Sequence, residues 1–254
     1  MTKPILAITL AISTCMTSAC GPAPAPELKV FVSGAARDAF NDLAPQFERA
    51  TGYKIKAEFD LPPALMRRIG AGEPFDVVIL SRGIDELIEQ GKVAPDSRVA
   101  LGRTGVGVAI HRGTPTPDIA TVDAFKYTLL RARSITYSGE GSSGQYFLSL
   151  LDRLQLANAI KPKLRHPGGS GGAAQILAKG EAELAVIGLP PVIGVDGIDW
   201  IGWVPDELQN WIVFAGGMST GATDPAAARA LLQYLTTSDA AAVFKSRGFE
   251  PVMR

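Results

Sequence analysis

The run DVVIL at positions 76–80 constrains the fold more than any other stretch of this 254-residue chain. A polar residue followed by four apolar ones offers no face to water. A strand of that kind belongs in a parallel sheet covered by helices on both sides. The segments around it agree. Residues 28–32 read as a strand, and residues 36–51 place Phe40, Leu43, Ala44 and Phe47 at the threes and fours of a helix, with Gly52 at the expected C-cap. Residues 53–59 alternate as a second strand, LPP at 61–63 reads as a turn, and residues 64–71 and 84–90 read as helices, the latter ending at Gly91. The first third is therefore βαβαβα, the signature of an α/β sheet wound with helices. Ligands in such sheets sit at the carboxyl ends of the strands. Here those ends are Ser33-Gly34-Ala35, Asp60-Leu61-Pro62 and Ser81-Arg82.

The alternation resumes further on. A strand-like run at 105–111, a helix at 122–131, a strand at 134–137, helices at 145–154 and 171–179, and a strand at 184–187 make a second, similar half. Near the end, 211–215 reads as a strand and 225–235 as an amphipathic helix capped by Thr223 or Asp224. Two such halves predict two lobes with a cleft between them. Trp200, Trp203 and Trp211 cluster after the second half and are expected to pack the hinge or core.

The amino terminus is different. Lys3 precedes the apolar residues 5–12, and small and polar residues then lead to Cys20-Gly21, the layout of a secretory signal peptide over 1–20. The apolar stretch is too short to span a bilayer. GPAPAP at 21–26 suits a tether. TSAC at 17–20 resembles a lipoprotein cleavage site with Cys20 as the acylated residue, although Thr17 stands where Leu is usual. This predicts a periplasmic protein, with membrane anchoring through Cys20 and simple cleavage as the two alternatives.

Both cysteines, Cys15 and Cys20, fall in this leader, so the remaining chain has no thiol nucleophile and no Cys-based metal site. With 25 basic and 25 acidic residues, the charge gives no reason to expect nucleic acid as a partner. No His/Asp/Glu set has metal-ligand spacing, and no nucleophile elbow or phosphate-binding loop is present. No cofactor is expected.

SGAA at 33–36, PQFERATGYKI at 45–55, RRIGAGEPFDVVILS at 67–81, KGEAELAVIG at 179–188 and SRGFEPV at 246–252 resemble the periplasmic molybdate-binding proteins of ABC transporters and their relatives. The resemblance implies a type II periplasmic binding protein, whose two α/β lobes, each built on a central mixed sheet, close over an anion. The first lobe would take residues 27–106 and 215–254, and the second 107–214. Molybdate binders carry hydroxyls or a phenol at three turns. This chain keeps the first at Ser33, but has Leu61-Pro62-Pro63 at the second and Gly188-Leu189-Pro190 at the third. Each charge-assisted hydrogen bond lost removes about 1.5–3 kcal/mol, so the change weakens the case for a bare oxyanion.

SGAA, VGVAIHRGTPTPDI at 106–119 and the Gly-Gly run after Pro167 also resemble an aconitate isomerase branch of the same family. Ligand contacts are expected at Ser33, Gly34, Ala35, Ala36, Leu61, Ser81, Arg82, Ser142, Ser143, Gly144, Gly169, Ser170 and Leu189. Arg82 stands just past a strand end, where its fork suits a carboxylate. The turns at 138–146 and 167–172 each enter a helix through glycines and hydroxyls, a good anion-holding arrangement. The expectation is an exported, monomeric solute-binding protein that captures molybdate, tungstate or an organic polycarboxylate for an ABC permease. The alternative is an isomerase using the same cleft, with His111 or Glu140 as the base.

Overall fold

The computed structural model describes residues 27–166 and 172–252. They form two five-stranded mixed sheets wrapped by helices, the two-lobed α/β architecture. The first sheet contains β1 (Glu27–Ser33), β2 (Lys54–Asp60), β3 (Val77–Leu80), β4 (Val99–Thr104) and β10 (Ile212–Met218), in the order β2-β1-β3-β10-β4. The second contains β5 (Gly107–His111), β6 (Ile135–Tyr137), β7 (Leu164–Arg165), β8 (Leu184–Ile187) and β9 (Ile198–Trp203), in the order β7-β6-β8-β5-β9. Both sheets repeat one pattern. Three parallel strands come first, then a strand running antiparallel, then an edge strand paired antiparallel to that one.

DVVIL behaves as its composition requires. Val77, Val78, Ile79 and Leu80 are fully buried in the middle of the first sheet. Asp76 is buried too, and both its oxygens are engaged. Oδ2 accepts from the Lys29 backbone at 2.8 Å, and Oδ1 accepts from the Thr223 backbone and hydroxyl at 2.7 Å each. One carboxylate thus ties the returning chain to the start of the fold.

Helix α1 (Arg37–Thr51) buries Phe40, Leu43 and Phe47 and ends on Gly52 in the left-handed region, at φ 79°. Fully burying each such side chain contributes about 1.5–3 kcal/mol. Helix α8 (Pro225–Tyr234) is capped by the Asp224 carboxylate, which accepts from the Ala227 N–H.

Three readings of local structure change. Pro62 and Pro63 are the first two residues of α2 (Pro62–Gly70) rather than a turn before it, because the first helical turn needs no N–H from them. β4 and β9 are strands that the apolar pattern did not show. β4 carries Arg103, whose guanidinium lies 4.3 Å from the Trp211 ring centroid, so a charged residue is accommodated in the strand by an aromatic face. Trp200 and Trp203, expected to pack the hinge or core, lie in β9, where Trp200 packs against the second-lobe core, and with Trp211 they form a chain of edge-to-face contacts at 5.0 and 5.7 Å. A last helix, α9 (Ser238–Ser246), is alanine-rich and capped by Thr237.

The chain passes between the sheets at 105–106 and again between β9 and β10. Val106 lies at the first passage and Gln209 at the second, and the Gln209 side chain bonds to the Val106 backbone. Nearby, Gly107 has no room for a side chain, since a Cβ there would stand 2.3 Å from the Trp200 ring and 2.4 Å from the Gly202 carbonyl. Among the described residues, no helix is long and apolar enough to cross a membrane.

Candidate functional site

A small cavity of about 50 Å³ lies where the carboxyl ends of the strands of both sheets meet. Ser33 at the end of β1 and Ala35 in the following 3-10 turn (Gly34–Ala36) line one side, with Ser81 just after β3. Ser138 after β6, Gly141, and Ser142 and Ser143 at the start of α5 (Ser142–Arg153) line the facing side. Thr104, at the end of β4, closes the hinge end.

The hydroxyls are linked across the lobes. Ser33 Oγ lies 3.5 Å from Ser81 Oγ, Ser81 Oγ lies 2.7 Å from Ser142 Oγ, and Ser143 donates to Ser138 Oγ at 3.1 Å. The Ser81 to Ser142 contact joins the first lobe directly to the second. No side chain caps the first turn of α5 or the 3-10 turn after Ser33. Their leading N–H groups therefore have no side-chain acceptor, and both turns border the cavity, so they are available to an anion there.

The α2 terminus contributes differently. Pro62 and Pro63 have no N–H, and the Ala64 N–H donates to the Leu61 carbonyl at 3.0 Å, so this turn offers field but no donor. Leu61, Pro62, Ala173, Ile187, Pro190, Pro191, Ile212 and Phe214 make the rest of the wall apolar. Among the described residues that line the cavity, none carries an ionisable side chain. Such a site can hold an anion through neutral donors and pack carbon against the opposite wall. Its described lining includes no carboxylate or imidazole.

Of the residues expected from sequence, Ser33, Ala35, Leu61, Ser81, Ser142 and Ser143 line the cavity. Ala36 is buried in the first-lobe core, and Gly34 starts the 3-10 turn without lining the cavity. Gly144 sits just behind the Ser142-Ser143 turn, where a Cβ would stand 2.5 Å from the Gly139 carbonyl. Leu189 packs against Gly248, at whose position a Cβ would be 3.0 Å from Leu189 Cγ. Arg82 is exposed and points its guanidinium at the Glu140 carbonyl, 3.5 Å away across the lobes. Glu140 itself is exposed at the rim. His111 is remote from the cavity, its Nδ1 lying 3.0 Å from the Leu177 carbonyl. Gly169, Ser170 and Cys20 fall outside the described residues.

Thr104, Ile212 and Phe214 were missed. The first lies on a strand the pattern hid, and the other two look like ordinary core residues until the chain returns beside β3. Ser138, part of the 138–146 turn expected to hold an anion, does line the cavity. Next to it Tyr137 is buried, which pushes its phenol above the ordinary value and keeps it neutral, and its ring meets His166 edge-on at 5.6 Å. Among the described residues, no group of three or more His, Cys, Asp or Glu side chains could hold a metal.

Comparison with known proteins fits this geometry. The family model of the bacterial extracellular solute-binding proteins matches residues 28–250, and the chain belongs to that family. An aconitate isomerase from Pseudomonas sp is 39% identical over 237 residues, covering 90% of this chain and 89% of the relative. The molybdate-binding protein ModA of Azotobacter vinelandii is 29% identical over 239 residues, covering 89% and 91%. The solved periplasmic molybdate-binding protein of Azotobacter vinelandii superposes with a TM-score of 0.74 at 20% identity, covering 89% of this chain and all of that one.

Proposed function

We propose that this member of the bacterial extracellular solute-binding proteins closes its two lobes over a small organic carboxylate and delivers it to an ABC permease. The observation that carries this reading is the composition of the cavity wall. One side offers serine hydroxyls and free helix N–H groups, which suit an anionic head. The other side is leucine, proline, isoleucine and phenylalanine, which suits carbon. A tetrahedral metal oxyanion would need donors on that second side as well, and Pro62 and Pro63 cannot supply them. The leader-like residues 1–20 support export to the periplasm, and lipidation at Cys20 belongs to the same proposal.

A thermal-unfolding screen tests it, using molybdate, tungstate, sulfate, citrate and both aconitates. A ligand specific for the folded state stabilises it by about 2.7 kcal/mol at one hundred times its Kd. The expected result is a raised midpoint with citrate or aconitate and little change with the oxyanions. A response to molybdate or tungstate alone overturns the carboxylate assignment.

The 39% identity to an aconitate isomerase supports a second reading, in which the same closed cleft moves a proton along a bound allylic carboxylate. The groups nearest to serving as a base are at the edge of the site. Glu140 is at the rim, and His166 Nδ1 is 2.9 Å from where a Cβ on Gly139 would sit. Incubating the protein with cis-aconitate in deuterated water separates the two readings. Recovery of unlabelled cis-aconitate alone is the carrier result, and formation of trans-aconitate, with or without deuterium, is the isomerase result.

A further inference from the structure

The inner cavity is too small for a polycarboxylate. Its volume is about 50 Å³, whereas organic ligand sites usually span about 300–1,000 Å³. A second space adjoins it. A groove of about 530 Å³ runs along the outside of the lobe junction, and Ser81, Ser142 and Ile212 line both the groove and the cavity. The 2.7 Å contact between Ser81 and Ser142 is therefore a partition one hydrogen bond thick.

The two compartments differ in charge. The cavity has no ionisable lining, while the groove holds Arg82 and Arg98. Arg98 is occupied, its Nε and Nη2 donating to the two oxygens of Asp85 at 2.7 and 3.4 Å. Arg82 forms no ion pair among the described residues, and its one hydrogen bond is the 3.5 Å contact to the Glu140 carbonyl. On its other side, the Glu86 carboxylate accepts from Gln90 at 3.0 Å. The groove thus has one uncommitted guanidinium immediately beyond the partition.

We infer that a ligand with two or more carboxylates spans this partition, one carboxylate in the inner cavity and a second held by the Arg82 fork in the groove. This rests on the carboxylate reading above. Ser81 and Ser142 exchange their mutual hydrogen bond for bonds to the ligand, and its carbon chain passes between them. The division explains why a site without internal charge can favour a polyanion, since a bidentate guanidinium adds charge-assisted bonds only to ligands long enough to reach it. Arg82 then sets the selection by number of carboxylates.

The test is isothermal titration of propanoate, succinate and tricarballylate into the wild-type chain and into Arg82→Gln. Loss of charge-assisted bonds of about 1.5–3 kcal/mol predicts a fall of about 10- to 100-fold for succinate or tricarballylate, with less than about a twofold change for propanoate. Arg82 is exposed, so the unfolding midpoint of the ligand-free variant should match the wild type. Unchanged affinity for the longer ligands overturns the inference and leaves the carboxylate reading standing. So does an equal loss for propanoate, which would make Arg82 a general attractor. If the wild-type chain binds none of the three nor the carboxylates of the thermal screen, the carboxylate reading itself has failed, and the inference with it.

Discussion

Gln209 pairs with Val106 as a strand would. The Val106 N–H donates to Gln209 Oε1 at 2.8 Å, and Gln209 Nε2 donates back to the Val106 carbonyl at 3.0 Å. These residues lie on the two chain passages between the lobes, so one side-chain amide fastens one passage to the other. Val106 is fully buried, and water cannot replace the amide. Replacing Gln209 with Ala should lower stability by about 1–3 kcal/mol, because the buried Val106 N–H loses its acceptor, whereas the Val106 carbonyl keeps the Val204 N–H at 3.0 Å. Urea unfolding should show an earlier midpoint with an unchanged slope. An unaltered midpoint would mean that the passages are held by other contacts.

Asp76→Ala should be the more damaging change. Three donors, Lys29 N, Thr223 N and Thr223 Oγ1, lose at once the buried carboxylate that they share. A loss of roughly 3 kcal/mol or more is expected in chemical denaturation. Asp76→Asn keeps one acceptor oxygen and should fall between the two.

On the outer face of the first lobe, Arg68 and Lys29 bridge Glu58 and Glu73. The hydrogen bond from Arg68 is the main reason that Glu73 is held down to about 2 from an ordinary value near 4.5, and Glu58 is lowered by the same partner. A depressed carboxyl contributes stability that is fully present above its unfolded-state pKa and is lost as pH falls through the folded one. Wild-type stability should therefore decline between about pH 4.5 and 2. Arg68→Gln leaves Lys29 as the remaining partner of both carboxyls, so its curve should be flatter through that window. Thermal melts at half-unit pH steps would show it, and parallel curves would refute it. Arg68 also lies 4.4 Å from the Phe31 ring centroid, so the variant should be less stable at neutral pH as well.

Gly144→Ala tests the α5 turn without touching its hydroxyls. The added methyl meets the Gly139 carbonyl and amide at 2.5 and 2.9 Å, so the 138–141 loop must move away from the first turn of α5. Ser142 and Ser143 then lose their place in the cavity wall. The affinity for whichever ligand the thermal screen identifies should drop about tenfold or more, roughly 1.4 kcal/mol. Retained affinity would show that the turn is not part of the binding surface.

Local patterns reached some elements and not others, and the reason is physical in each case. DVVIL, the helix ending at Gly52 and the Asp224 cap were readable, because burial on both faces, helical spacing and capping chemistry are properties of a few adjacent residues. β4 was hidden because Arg103 breaks its apolar run, and only a distant tryptophan makes that arginine acceptable there. α9 was hidden because SDAAAVFKS carries few large apolar residues to mark a face. In the site, Ser33, Ser81, Ser142 and Ser143 could be named from their places at strand ends and a helix start.

The sequence by itself therefore determined the α/β class, the two-lobed family and the hydroxyl-bearing turns, since each is written in local spacing and residue chemistry. Tertiary structure alone decided what those turns face. It set Ser81 against Ser142, left Arg82 on the far side of that contact, and sent β10 back beside β3 so that Ile212 and Phe214 complete the apolar wall. The Ser81 to Ser142 contact, for one, joins residues 61 positions apart along the chain. Only the pairing of strands and the closing of lobes bring such residues together, and no local pattern encodes the direction in which a side chain then points.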